Sequence, residues 1–476
     1  MLVDARSLQA NALIETDLCI VGAGPAGQVV ARALAGHGPR ICLVESGGCP
    51  PDRATQALSV GRNLGRAYFR LRDARQRGFG GSSGHWDIPL GGARRGARLY
   101  PLEPIDFETR DWLPHSGWPF RRARLDPYYA RAATICGIRP ERLTAVAHGL
   151  AGRPLPLDPE LVRTAVFQLG PSDLWWGEAA RVGLDRAGVT LLEHGTVIEI
   201  ETESRARRVT GVRVATLTGQ RLRVAAKVVV LAAGGIENAR LLLLSDRVRR
   251  QGLGNDRDLV GRFFMEHPYL AAGVLAAPEG LLQEIGLYAV HRADSTWAEG
   301  RLTLAEPVVR RERLCGCGVR LCPRPGGGLV LEVLAEQSPD PDSRVLLDPR
   351  RRDALGQRRV CLDWRVQERD LTMIARAAQL IGGHLEARGL GRFQAVPDGA
   401  LATARLSGGR HHMGTTRMHA DPAHGVVDAD CRVHGVDNLY VTGSSVFPTG
   451  GYANPTLTVV ALALRLADHL AGRLGG

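Results

Sequence analysis

Residues 17–27 read DLCIVGAGPAG and residues 40–45 read RICLVE. Each is a short apolar run; the first closes on glycines at 22, 24 and 27, and the second ends in an acid. Between them Val29, Val30, Ala33 and Leu34 recur at helical spacing. Strand, glycine turn, helix and strand in this order predict a β-α-β unit with parallel strands and a right-handed crossover. Each glycine has a mechanical task. Gly22 allows the tight turn, Gly24 lets the backbone approach a pyrophosphate, and Gly27 lets helix and strand pack closely. The helix N-terminus offers unpaired N–H groups to phosphate. Glu45, at the end of the second strand, can accept hydrogen bonds from a ribose diol. This predicts a dinucleotide site and leaves FAD and NAD both open.

Outward from this unit, residues 46–100 are rich in Gly and Arg and read as loop. Residues 105–190 read as helices and polar turns, including PYYARAATICGI. VTLLEHGTVIEIETE and RRVTGVRVATL alternate as strands do. KVVVLAAGG (227–235) is a buried strand closing on a glycine pair, and a helix follows. Residues 266–365 read as strands with long loops, and 370–388 as an amphipathic helix. NLYVTG is a last strand before a final apolar helix. Dinucleotide-type elements thus lie near the start, middle and end, with a second, mixed domain inserted between them. The expected division is 1–104, 191–265 and 400–476 for the cofactor domain, and 105–190 and 266–399 for the substrate domain.

Two features favour FAD over NAD. Gly80-Gly81-Ser82-Ser83-Gly84 is a second glycine-rich loop outside the first unit, and Gly234-Gly235 again allows backbone near a ligand at a strand end. A flavin needs close backbone approach far from its adenosine half. The remaining chemistry lies in GGRHHMGTTRM (408–418) and GSSVFPTGGYANPT (443–456). Oxidation of an alcohol by hydride transfer leaves a hydroxyl proton to remove, and a neutral histidine suits that task. A second polar group near the same hydroxyl should fix its orientation.

The ordered set GAGPAG, GGSSGHW, LAAGGIENARLLL, GRFFMEHP, EQSPDPDSRV, HHMGTTRM and GSSVFPTGGYANPT resembles the glucose–methanol–choline (GMC) oxidoreductase family along nearly the whole chain. The likeness is nearest to its pyranose oxidase and bacterial sugar- and glycoside-dehydrogenase branches. The resemblance implies an α/β FAD-binding Rossmann-like domain with an inserted α+β substrate domain built on an antiparallel sheet, the p-hydroxybenzoate hydroxylase-like architecture. It places the base three residues before Gly414-Thr415, at His411, with Asn454 as its partner, and gives His412 a packing or hydrogen-bonding role behind the site. It implies that Gly22, Gly24, Pro25, Ala26, Gly27, Glu45, Ser46, Gly80, Gly81, Ser82, Ser83, His85, Val197, Ala233, Gly234, Gly443, Ser444, Asn454, Pro455 and Thr456 hold FAD. His85 is expected to pack over a non-covalent flavin; a covalent link there is the alternative. The expected substrate is an alcohol on a sugar, glycoside or sugar-bearing natural product. The alternatives are a flavin-containing lyase without net redox and a dehydrogenase that passes electrons to a protein partner.

Composition bounds the partners. The formal charge is +12, and Lys227 is the sole lysine among 61 basic residues. The arginines are scattered without a stripe interleaved with aromatics, so no nucleic-acid partner is expected. No apolar run approaches the roughly 18 residues of a membrane span. The first residues carry neither a basic nor an apolar leader region, so a cytoplasmic setting is expected. Nine cysteines, an odd count, argue against a disulfide framework. Cys315, Cys317 and Cys322 match no zinc signature, and no metal is expected. Residues 150–195 contain no cysteine for an iron–sulfur cluster, which points to dioxygen or a diffusible electron acceptor.

Overall fold

The computed structural model describes residues 1–475 except 86–87, 92–93, 143–152, 176, 279, 282–284, 294–295 and 398–405. Trp86 of the GGSSGHW motif and parts of the long loops expected within 266–365 therefore lie outside the described residues. Among the described residues, two large sheets and one small one carry the fold.

The first sheet has eight strands and grows from the opening motif. Leu13–Val21 pairs in parallel with Ile41–Val44 on one side and with Arg221–Leu231 on the other. Leu18, Cys19, Ile20, Leu43, Val229, Val230 and Leu231 have no exposed surface, as continuous apolar runs require when helices cover both faces of a parallel sheet. Arg221–Leu231 is long enough to take two partners on its far side. Its first half pairs antiparallel with Val209–Ala215, and its last residues pair in parallel with Leu439–Val441. Helix Pro25–Leu34 packs against the last helix, Thr456–Leu474, and that helix also packs against Asp126–Ile135. Leu457, Val460, Ala461, Leu462 and Leu470 are fully buried in it. At about 1.5–3 kcal/mol for each large aliphatic side chain buried, this face holds the C-terminal segment onto the cofactor sheet.

The second sheet is antiparallel, in the order Arg392–Ala395, Tyr269–Ala276, Leu329–Ala335, Cys317–Pro323, Thr296–Leu304, Val162–Pro171, Arg94–Leu99, Ile88–Gly91, with His291–Ala293 added beside Thr296–Leu304. Helix Glu368–Ala387 packs against it through Leu371, Ile374, Ala378, Ile381 and Leu385. It begins two residues earlier than its periodicity predicts, because Gln367 and Asp370 form a capping box. A small third sheet joins Arg344–Arg352, Arg358–Asp363 and Gly61–Asn63.

Two expectations need correction. Residues 88–91 and 94–99, placed with the cofactor domain, pair into the antiparallel sheet through Arg94–Leu99 against Val162–Pro171. Residues 105–190, read as helices and turns, contain the Val162–Pro171 strand, which sits near the middle of that sheet. In both stretches polar side chains have partners across the sheet or from a neighbouring loop, which a linear reading takes for solvent exposure. The Arg98 guanidinium meets Glu299, and Gln168 both donates to and accepts from the backbone of Arg139 at 2.9 Å.

Candidate active site

The glycine-rich turn has the geometry its sequence predicts. Gly22 has φ +104°, and a Cβ there would lie 2.8 Å from the Ala232 carbonyl oxygen. A Cβ on Gly27 would collide with the Gly22 carbonyl, whereas one on Gly24 would meet nothing within 4 Å. Gly24 therefore faces open space at the N-terminus of helix Pro25–Leu34, which has no side-chain cap. The second glycine loop docks directly on the first: Gly80 N–H donates to the Ala23 carbonyl at 3.0 Å, and a Cβ on Gly81 would lie 3.3 Å from Gly24 Cα.

A cavity with about 1160 Å³ of empty space starts at this turn. Gly22, Gly24, Pro25, Ala26, Glu45 and Ser46 line its first part; Gly81, Ser82, Val197, Ala233 and Gly234 follow; His411, Gly443, Ser444 and Pro455 close the far end. The other predicted residues lie around it. Gly27 packs beneath the turn. Ser83 donates to the Gly80 carbonyl at 2.7 Å and so closes its own loop. Thr456 is buried at the start of the last helix. His85 lines a neighbouring groove with Asp52, Arg53, Arg72 and Asp73, and this groove shares Gln76 with the main cavity. Glu45 is more engaged than a ribose ligand needs to be. Its carboxylate accepts from the N–H groups of Ala23 (2.9 Å), Gly47 (3.0 Å) and Gly78 (3.1 Å). It ties both glycine loops together while facing the cavity, and burial raises its pKa.

Sequence reasoning missed part of the wall. Arg75, Arg77 and Glu237 line the cavity, and both arginines bind the Glu237 carboxylate, at 2.8 and 2.6 Å. Burial opposes charge on Glu237, but Arg77, Arg75 and Arg240 hold its carboxyl far below the usual range. In a chain so rich in arginine, nothing marks these two in advance.

The far end is built by an interlock between distant segments. Met265 and Met413 exchange backbone hydrogen bonds, each 3.0 Å, and Tyr269 and Ser407 do the same at 2.8 and 3.1 Å. This lays 407–413 antiparallel to 265–269. Glu266, fully buried between them, accepts from the N–H groups of Gly409 (2.9 Å), His411 (3.0 Å) and His267 (3.0 Å), and from the Tyr68 hydroxyl. Burial raises its carboxyl to about 7, even though all four donors favour the charged form. Neither Glu266, His267 nor Tyr68 was singled out from sequence; GRFFMEHP was visible only as part of the family pattern.

His411 is held in three dimensions by this frame. Its Nε2 lies 3.2 Å from Asn454 Nδ2, and its Nδ1 lies 2.8 Å from His267 Nδ1. Burial, then the nearby His267, His412, Arg301 and Arg98, push its pKa well below that of a free histidine. The ring is neutral at neutral pH, as a base must be before it acts. His412 sits beside it, 2.9 Å from the Tyr68 hydroxyl through Nε2, and burial pushes its pKa down to about 3. It also lines the cavity. Asn454 Oδ1 is buried without a hydrogen-bond partner.

These residues suit FAD: one cavity is lined both by an uncapped helix N-terminus of the kind that accepts phosphate and by neutral histidines, with Asn454 against His411. Residues 17–253 match the FAD-dependent oxidoreductase family profile, and residues 339–463 match that of the GMC oxidoreductases. Over 96% of its length the chain is 28% identical to the 6'''-hydroxyparomomycin C oxidase of Streptomyces lividus, 92% of which is covered. It is 24% identical, over 98% of its own length and 99% of the relative's, to the fructose dehydrogenase large subunit of Gluconobacter japonicus. Its fold matches a variant of Aspergillus oryzae formate oxidase with a TM-score of 0.64 at 17% identity, covering 98% of this chain and 99% of that one. Fold, cavity and these likenesses define an FAD-dependent oxidoreductase acting on CH–OH donors. The chain is similar to the GMC oxidoreductases, whose family profile it matches over residues 339–463.

Proposed function

We propose that the enzyme oxidises a primary or secondary alcohol on a sugar, glycoside or sugar-bearing natural product, with His411 as the base and Asn454 as the group that orients the substrate oxygen. The observation that carries this reading is the 3.2 Å contact between His411 Nε2 and Asn454 Nδ2 at the end of the cofactor cavity. An amide cannot take a proton at neutral pH, so the pair is asymmetric. His411 Nε2 accepts the hydroxyl proton while Asn454 Nδ2 donates to the oxygen and fixes the direction of the carbinol C–H bond. Bound FAD supplies the hydride acceptor.

The cofactor would lie with its pyrophosphate over Gly24 and helix Pro25–Leu34, its adenosine half toward Glu45 and Ser46, and its ring end toward Ser444, Pro455 and His411. The N-terminus of helix Thr456–Leu474 opens toward that end and favours negative charge there. His85 lies outside the main cavity wall, which supports a non-covalent flavin. The paromomycin-type and fructose substrates named for two relatives support a carbohydrate substrate. The electron acceptor in this reading is dioxygen or a diffusible acceptor. Among the described residues no helix is long and apolar enough to cross a membrane, and nine cysteines without a disulfide support a cytoplasmic setting.

The test is an anaerobic screen of sugars and glycosides against purified yellow protein, read as bleaching of the flavin, with His411→Ala as control. The variant should reduce its flavin at least ~100-fold more slowly. Normal reduction by His411→Ala removes that residue from the mechanism, and substrate turnover without bleaching favours the lyase alternative.

A further inference from the structure

The partner of His411 on the side away from Asn454 is a second imidazole. His267 is fully buried, its Nδ1 lies 2.8 Å from His411 Nδ1, and the two rings meet edge to face with centroids 4.9 Å apart. The hydrogen-bonding arithmetic then fixes every proton. Asn454 Nδ2 can only donate, so His411 Nε2 must be bare and accept. A neutral His411 therefore carries its proton on Nδ1. Two Nδ1 atoms at 2.8 Å share one proton, so His267 Nδ1 must be bare, and the His267 proton sits on Nε2. That nitrogen faces the backbone around Gly450, where a Cβ would lie 3.7 Å away, and is buried without a hydrogen-bond partner.

We propose that His267 is a positioning residue and the second proton station of the reaction: it locks His411 in the Nδ1–H tautomer and takes that Nδ1 proton as His411 Nε2 takes the proton of the substrate hydroxyl. This rests on His411 being the base. In the step the substrate O–H bond breaks and an N–H bond forms at His411 Nε2. The His411 Nδ1–H bond breaks and an N–H bond forms at His267 Nδ1. The hydride leaves the carbinol carbon for bound FAD, and the product is a carbonyl compound. His411 ends neutral with its proton on Nε2, and the positive charge resides on His267.

The relay answers a difficulty in the site. A base so deeply buried resists becoming a cation, and His412, Arg301 and Arg98 oppose that charge. His267 is the better place for it. The groups that face it are His411, the neighbouring Glu266, Glu336, Arg301, and the Gly450 and Gly451 carbonyls; Glu336 and the two carbonyls favour its charged ring, whereas Arg301 opposes it. Burial pushes its pKa down to about 4.

The test uses the holoenzyme and two substitutions. His267→Phe removes both the acceptor and the proton station. His267→Gln retains an oxygen that can accept from His411 Nδ1–H but cannot take its proton. FAD content and thermal melting verify that each variant is assembled. Imidazole nitrogen NMR on histidine-labelled protein, with substrate absent, should show His411 protonated on Nδ1 in the native enzyme and in His267→Gln, and mixed tautomers in His267→Phe. Anaerobic flavin reduction should slow roughly 100-fold or more in His267→Phe with substrate affinity within about twofold, and His267→Gln should fall between that variant and the native enzyme. His411 protonated on Nε2 in the native protein overturns the proposal, as does full recovery of rate by His267→Gln. If His411→Ala is slow but His267→Phe is normal, the relay alone fails; if both are normal, the base assignment fails first.

Discussion

Glu266→Gln is the sharpest probe of how the catalytic end is held. The carboxylate has two oxygens and four donors: the Tyr68 hydroxyl and His411 N–H on Oε1, and the His267 and Gly409 N–H groups on Oε2. Glutamine keeps one oxygen, so two donors must face an NH₂ group. Hydrogen bonds to a charged group contribute ~1.5–3 kcal/mol each, and losing two costs about 3–6 kcal/mol. The amide escapes the penalty of burying a charge. Burial still lifts the Glu266 carboxyl to about 7 against those hydrogen bonds, which disfavours the charged form by about 3 kcal/mol at about 1.4 kcal/mol per pH unit. The net loss at pH 8 is then about 0–3 kcal/mol, which the fold survives. The local effect is larger, because the lost donors include the backbone of His411 or of its neighbours. Displacement of a reacting group by ~1 Å costs on the order of 100-fold. Stopped-flow flavin reduction at pH 8 should therefore slow roughly 10- to 100-fold while the FAD content stays normal. Below pH 7, where the native carboxyl is itself protonated, the gap should narrow. A variant that reduces its flavin at the native rate at pH 8 would refute the idea that this carboxylate positions the base.

Gly27→Ala should yield little yellow protein, because the new methyl collides with the Gly22 carbonyl beneath the pyrophosphate turn; FAD retained after gel filtration is the measurement. Asn454→Asp puts a carboxylate against His411 Nε2, which raises the histidine pKa and moves its proton to the atom that must accept. Flavin reduction should fall ~100-fold or more, with the loss deepening as pH falls. Acid should destabilise the protein. His267, His411 and His412 have folded pKa values below that of an unfolded histidine, so their contribution is present above pH ~6.5 and is lost as pH falls toward 4. Glu266 has the opposite sign: its raised pKa contributes stability below ~4.5 that is lost as pH rises to about 7. Among these four groups, three histidines against one carboxyl leave an unfolded-state excess of about two protons, a contribution to the slope of at most about 3 kcal/mol per pH unit between pH 6.5 and 4.5, measurable as the change in denaturation midpoints across that range when the four are substituted.

The cofactor half was legible because its signals are local. The apolar runs at 18–21, 41–44 and 228–231 are strands buried on both faces, and the glycines between them answer to contacts a few residues away or at the adjoining strand end. The antiparallel half was less legible. VRTAVFQLGP (162–171) does not alternate cleanly, because Gln168 is buried and satisfied by the backbone of Arg139. GARRGARL (92–99) reads as a solvated loop because the partner of Arg98, Glu299, lies 201 residues away.

The site divides along the same line. His411 and Asn454 could be named from motif spacing, and both meet at the end of the cavity. What makes His411 usable could not be named, because it depends on which chain segment runs beside it. Glu266 and His267 sit 145 and 144 residues from His411 in sequence, and no local pattern joins them. The backbone exchanges of Met265 with Met413 and of Tyr269 with Ser407 bring an acid and an imidazole against His411. That exchange belongs to the antiparallel frame, not to the dinucleotide unit. The division of labour follows: the β-α-β segment suits a dinucleotide, whereas the seam between 265–269 and 407–413 sets what His411 Nδ1 meets. Substitutions along that seam should therefore alter the rate of proton removal before they alter the affinity for FAD, and those in the glycine turn should do the reverse.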